Sequence, residues 1–232
     1  MPTVQTSSSL RFAFLVTCAG GFLDSYTYLA RGGAFATAQT GNVVFFAVEI
    51  AQRHPMQALA HVWPILAFLV GIGAAVHIRK GRLDRLLPHP ILVTVALQAA
   101  ILAIVGFIPS SAPHYTVTIP IAFVAAMQIE MFRNVAGHNY VAIATTGNLM
   151  RLVEAAHGVA VDRDPESRRP LAIYLGVVGI FAGGALIGAL ATHLIGVHAA
   201  WIPAAFLGVT LALFIWDERD TPGVAETDES AP

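Results

Sequence analysis

The chain has 232 residues, a net charge of −1, 56% hydrophobic residues and 12% charged residues. A soluble domain carries about 25% charged residues, so these charges are too few to coat a water-soluble globule, and the mean hydropathy of +0.68 agrees. The balanced charge offers nothing to a nucleic acid, and the single Cys18 excludes an intrachain disulfide framework or a cysteine-based metal site.

In chain order, a short tail (1–11) leads into the apolar run Phe12–Ala30. This run keeps Asp24 inside it, lacks a small-x-small cleavage site and is followed by more apolar runs, so it reads as a membrane helix rather than a signal peptide. An extended stretch, Ala34–Gln39, then reaches Thr40-Gly41-Asn42, which is predicted to open a short apolar helix over Val43–Gln52. The runs Val62–Ile78 and Ile91–Ile108 follow, separated by a basic loop with Arg79, Lys80, Arg82 and Arg85. The second half repeats the order. Val117–Phe132 carries Glu130, an extended stretch covers Tyr140–Thr145, and Thr146-Gly147-Asn148 opens a short helix, Leu149–His157. Leu171–Ile195 and Ala199–Trp216 complete the apolar runs, and the acidic tail 217–232 has a composition that predicts disorder.

The six long runs hold 16 to 25 residues each. At about 1.5 Å per residue they suit a hydrocarbon core about 30 Å thick. The two short helices do not reach across it.

The halves are related in sequence. Shifted by 106 positions, residues 22–42 lie on residues 128–148 without a gap, with six of 21 positions identical. The matches include Thr40/Thr146, Gly41/Gly147 and Asn42/Asn148; Asp24 falls on Glu130, and Tyr26 on Phe132. The expected fold is therefore an all-α integral membrane protein in one transmembrane domain over 12–216. Its repeats cover about 12–108 and 117–216, with six transmembrane helices and two short half-helices.

Positive charge concentrates on the cytoplasmic side of membrane proteins. With six spans and the basic loop inside, Arg11, Arg133, Arg151, Arg163, Arg168, Arg169 and Arg219 also lie inside, leaving only Arg31 and Arg53 of the 13 basic residues outside. Eight spans would put seven of them outside. Six spans are favoured, with both termini cytoplasmic. Three spans per repeat is odd, so the copies are expected to be inverted, as in many secondary transporters.

The stretch GFLDSYTYLARGGAFATAQTGNVV resembles the signature of the YoaK family of bacterial membrane proteins, a domain of unknown function. MQIEMFRNVAGHNYVAIATTGNLMRLVEA is similar to that family's second motif, and the glycine-spaced span 176–188 also fits. The resemblance runs from about Phe12 to Trp216. It implies a multi-pass protein of the bacterial inner membrane and supplies no substrate or reaction.

The Thr-Gly-Asn turns are the sharpest chemical signal. Thr or Asn at a helix start can cap orphan N–H groups, and glycine permits close backbone approach. A helix that starts inside a membrane presents its positive end there, which suits an anion or polar solute. The alternative is a dry pseudo-symmetry axis at which the turns only cap each other's helices. Asp24 and Glu130 lie within spans, where an acid is a candidate for proton or ion coupling; the alternative is a hydrogen bond to the neighbouring extended backbone. Gln39 and Tyr26 are candidate solute-lining residues, as are Thr145, His138 and Asn139. Glu49 and Glu154 read as interfacial. The histidines show no metal-ligand spacing, and no HExxH, CxxC or Walker loop occurs, so no metal, cofactor or enzymatic chemistry is expected. Gly176, Gly179, Gly183, Gly184 and Gly188 form a small-residue face for packing within the chain or against a second copy. The pattern points to a small-solute transporter or channel, with a non-transporting assembly or sensory protein as the alternative.

Overall fold

The computed structural model describes residues 10–78, 90–131, 134–135, 138–139 and 145–219. Among these lie eight α-helices: α1 (Leu10–Ala30), α2 (Gln39–Ala51), α3 (Pro55–His77), α4 (Pro90–Val105), α5 (Tyr115–Met131), α6 (Thr145–Ala160), α7 (Arg168–Ile195) and α8 (Trp201–Arg219). Every long apolar run falls on one helix. The acidic tail beyond Arg219, most of the N-terminal tail, the basic loop 79–85, Arg133 and most of the second extended stretch (140–144) lie outside the described residues.

The element boundaries follow local chemistry. α1 stops at Gly32 and Gly33, whose φ of 84° and 75° belong to the left-handed region that glycine tolerates. α3 begins at Pro55, where a missing N–H costs nothing. α7 ends at Gly196, with φ 60°. One element was not foreseen: a two-residue antiparallel pair, β1 (Asn134–Val135) with β2 (His138–Asn139), follows α5. The candidate lining residues His138 and Asn139 are therefore strand residues.

The short helices begin earlier than expected. α2 starts at Gln39 rather than Val43, and α6 starts at Thr145 and runs on to Ala160. At about 1.5 Å per residue they span roughly 20 and 24 Å, short of a bilayer core about 30 Å thick.

Helix pairing is regular. α1 packs on α7 and α5 on α3; α2 lies on α3 and α6 on α7; α4 meets α8, while α5 touches α4 and α1 touches α8. The main core runs through α1, α4, α5, α7 and α8, with Phe22, Leu23, Tyr26, Leu102, Ile121 and Leu207 fully buried. Glycine sets the closest crossings. A Cβ at Gly184 would strike the Cys18 carbonyl, one at Gly188 the Phe22 carbonyl, and one at Gly71 the Phe123 carbonyl. The α7 glycine face thus divides. Gly184 and Gly188 press on α1 and a Cβ at Gly176 would meet the Phe14 ring, whereas a Cβ at Gly179 or Gly183 would meet nothing within 4 Å among the described residues.

Among the described residues, two helical segments are long and apolar enough to cross a membrane, Pro55–His77 and the stretch 165–213 that contains α7. Of the residues in their most apolar windows only 22% and 28% are buried within the chain, so most of these residues are at least partly exposed.

Candidate functional site

The stretch 34–38 between α1 and α2, expected to be extended, is irregular, with bends at residues 36 and 37, and is tied to α1. Such backbone leaves N–H and C=O groups without helical partners, and in an apolar interior each needs one. Asp24 supplies the first. Its Oδ1 accepts the Thr37 N–H at 2.9 Å and its Oδ2 accepts the Thr37 hydroxyl at 2.5 Å. The Thr27 hydroxyl accepts the Ala36 N–H at 3.2 Å.

Asn42 supplies the rest. Its Oδ1 accepts the Phe35 N–H at 2.9 Å, and its Nδ2 donates to the Phe35 carbonyl at 2.6 Å and to Gln39 Oε1 at 2.9 Å. Gln39 Nε2 in turn donates to the Ala36 carbonyl at 3.1 Å. The motif asparagine therefore does not cap its own helix. It sits one turn inside α2, fully buried, and imitates a strand partner for Phe35. The N-cap position is Ala38, which offers no side-chain cap.

A cavity of about 810 Å³ opens beside this clamp. Asp24, Ser25 and Tyr28 of α1 line it, with Phe35 and Thr37 of the stretch between α1 and α2. The first turns of both short helices reach it, through Gln39 and Thr40 of α2 and Thr145 and Thr146 of α6. Phe68 of α3, Ile129 of α5 and Phe181, Ala185 and Ala189 of α7 close the walls. The two Thr-Gly-Asn turns, 106 residues apart, thus meet at one space.

The remaining candidates sit differently. Gly41, Asn42, Gly147 and Asn148 are not among the residues that line the cavity; Asn42 and Asn148 are buried, Gly147 is exposed, and a Cβ at Gly41 would meet the Phe35 ring. Glu130 is buried next to the cavity residue Ile129. Tyr26 is outside the cavity wall. Its hydroxyl donates to the Val197 carbonyl at 3.1 Å and accepts from Arg31 Nε at 2.9 Å.

Arg31, counted above as an outside charge, is completely buried. Its guanidinium donates to the carbonyls of Val105 (3.3 Å), Ile108 (2.8 Å) and Pro109 (3.1 Å) at the C-terminal end of α4. That end is negative by its dipole, so it offsets the buried positive charge. His198 Nδ1, 2.9 Å from the Gly106 carbonyl, and Trp201 Nε1, 3.1 Å from the Ala103 carbonyl, complete the cap.

Thr37, Phe35, Phe68 and Phe181 also line the cavity, although no motif in the sequence marks them. Thr37 was accessible in principle, because Asp24 needs a donor within reach of the extended stretch. Among the described residues no group of three or more His, Cys, Asp or Glu side chains is placed to hold a metal ion.

Neither a curated protein nor a solved structure matches the chain. One family model does, over residues 12–213, which takes in nearly all of the helical body described above and agrees with the YoaK-type motifs. The chain belongs to that family, "Protein of unknown function (DUF1275)".

Proposed function

We propose that the chain is a small-solute transporter or channel of the bacterial inner membrane, with its site in the cavity between the first turns of α2 and α6. The observation that carries this reading is the cavity wall itself: Gln39 and Thr40 face the same space as Thr145 and Thr146. Two helix starts converging inside an apolar helical body suit a polar or anionic solute. Non-helical backbone such as 34–38 is tolerated at membrane depth only inside protein or beside a cavity.

The regular pairing supports two repeats. Exchanging α1 with α5, α2 with α6, α3 with α7 and α4 with α8 converts each pairing into another that also occurs. With short helices that do not cross, this favours six spans, inverted halves and cytoplasmic termini. Cysteines placed at the two termini should react only from the cytoplasmic side; periplasmic reactivity at both would reject this topology.

Asp24 gives a route for coupling. Its ionised carboxylate holds Thr37 by two bonds. Proton uptake at Oδ2 turns that oxygen from acceptor to donor, so the Thr37 hydroxyl has to rotate and accept or give up the bond, and solute movement and proton movement share the element that feeds α2. Glu130 holds the corresponding sequence position in the second half.

The test is flux through purified protein in liposomes, using a panel of small anions and neutral polar solutes. Thr40→Val and Thr146→Val remove a hydroxyl from the cavity at nearly constant shape, and each should slow transport. Unchanged flux in both would reject the site. No flux for any solute, with correctly inserted protein, would favour a non-transporting assembly or sensory role.

A further inference from the structure

The repeat extends further than one constant shift reveals. α2 and α6 start 106 residues apart, at Gln39 and Thr145, but α3 and α7 start 113 apart, at Pro55 and Arg168. The difference of seven has a visible origin. α6 has 16 residues against 13 in α2, and the connector 161–167 has seven residues against three in 52–54. Shifted by 113, Phe68 falls on Phe181 and Gly71 on Gly184.

The matched residues have matched surroundings. Gly71 presses on the Phe123 carbonyl of α5, and Gly184 presses on the Cys18 carbonyl of α1. One turn earlier on each helix, Phe68 and Phe181 reach the cavity wall. Backbone contact at the glycines leaves no slack for α3 or α7 to shift, while a phenylalanine ring moves by changing rotamers. At these two points the rings, rather than the backbone, are the parts left with a way to move.

We propose that Phe68 and Phe181 are paired aromatic gates, each closing the cavity toward one face of the membrane. This rests on the transport reading and on inverted halves, because inversion sends equivalent residues toward opposite faces. A polar solute has to displace an apolar ring to enter or leave, so the pair also sets the size and polarity of what passes.

The experiment needs no identified solute. Cys18→Ser removes the single native thiol, and Thr40→Cys places a reporter thiol on the cavity wall. In sealed vesicles of known orientation, a charged, membrane-impermeant maleimide is supplied from one side at a time. Phe68→Ala should raise labelling several-fold from one face only, and Phe181→Ala several-fold from the other face only. Phe68→Leu and Phe181→Leu keep apolar contact, should give smaller rises with the same sidedness, and decide the matter if an alanine variant misfolds. Opening from the same face in both, or no change in either while a permeant maleimide still labels the reporter thiol, overturns the proposal. Sided opening without solute flux in liposomes would sink the transport reading and leave the gates as entrances to a binding cavity. Flux without sided opening would do the reverse.

Discussion

Replacing Asn42 by alanine removes three hydrogen bonds from a fully buried position, two to the Phe35 backbone and one to Gln39. Hydrogen bonds between membrane helices average about 0.6 kcal/mol, so three come to about 2 kcal/mol. The Phe35 N–H and C=O lie in an irregular stretch without a helical partner to fall back on, and an unmet buried group costs about 1–3 kcal/mol. The expected loss is therefore about 2–4 kcal/mol. It is measurable by reversible unfolding in mixed micelles of a mild detergent and dodecyl sulfate. Asn42→Asp keeps the acceptor for the Phe35 N–H but loses both donors, so it should fall between wild type and alanine. Local amide exchange at Phe35 should quicken in both variants. A loss below about 0.5 kcal/mol, or unchanged exchange at Phe35, would show that the clamp does not hold this stretch. Lost flux in Asn42→Ala then reports a collapsed wall rather than a lost solute contact, which is why the threonines are the better probes of binding.

Other expectations concern separate parts of the molecule. Gly184→Ala drives a Cβ into the Cys18 carbonyl and should cost about 1–3 kcal/mol, whereas Gly179→Ala, with nothing within 4 Å, should be neutral or stabilise α7 by up to about 1 kcal/mol; equal effects in the same unfolding assay would refute the division of the glycine face. Arg31→Lys should lower thermal stability in detergent, because one ammonium cannot span the three carbonyls and the Tyr26 hydroxyl that the guanidinium reaches; a wild-type melting curve would exclude the α4 cap. The Ser167 hydroxyl, then the Glu166 N–H, hold the exposed Asp164 carboxyl below its ordinary pKa. A lowered folded-state value means that this contribution is present above the unfolded pKa of about 3.9 and fades as pH falls through the folded value. The protection of the Glu166 amide, read by mass spectrometry against the intrinsic exchange rate at each pH, should therefore fall only on acidification below about pH 4, and Asp164→Ala should abolish that step.

The helices were legible because hydropathy acts over a whole run: the six apolar runs became α1, α3, α4, α5, α7 and α8. Taking Thr-Gly-Asn as a local cap misplaces the start of α2, because Asn42 binds Phe35 seven residues back, and α6 likewise starts before its motif, at Thr145. Tyr26 looks like a lining residue from its place beside Asp24. Its hydroxyl is instead taken by Arg31 and by Val197, 171 residues away, and no local pattern carries such a contact. For Asp24, the alternative of a hydrogen bond to the extended backbone is what Thr37 realises, and the residue lines the cavity as well. Phe68 and Phe181 were hidden by the seven-residue slip, although the signal, Phe-x-x-Gly in both halves, stands in the sequence.

The buried Arg31 has a consequence for how such a chain is made. Its carbonyl partners lie 74 to 78 residues downstream, and Tyr26 waits for Val197. At about 5–20 residues per second, α4 follows α1 out of the ribosome by roughly 4–16 s, and Val197 by roughly 9–34 s. During that interval α1 holds a charge whose carbonyl partners have yet to be synthesised. On the six-span reading proposed above, the seat of α1 in the bilayer is complete only once the C-terminal end of α4 has arrived to take the Arg31 guanidinium. Premature termination between the two should leave a first helix that the membrane does not retain.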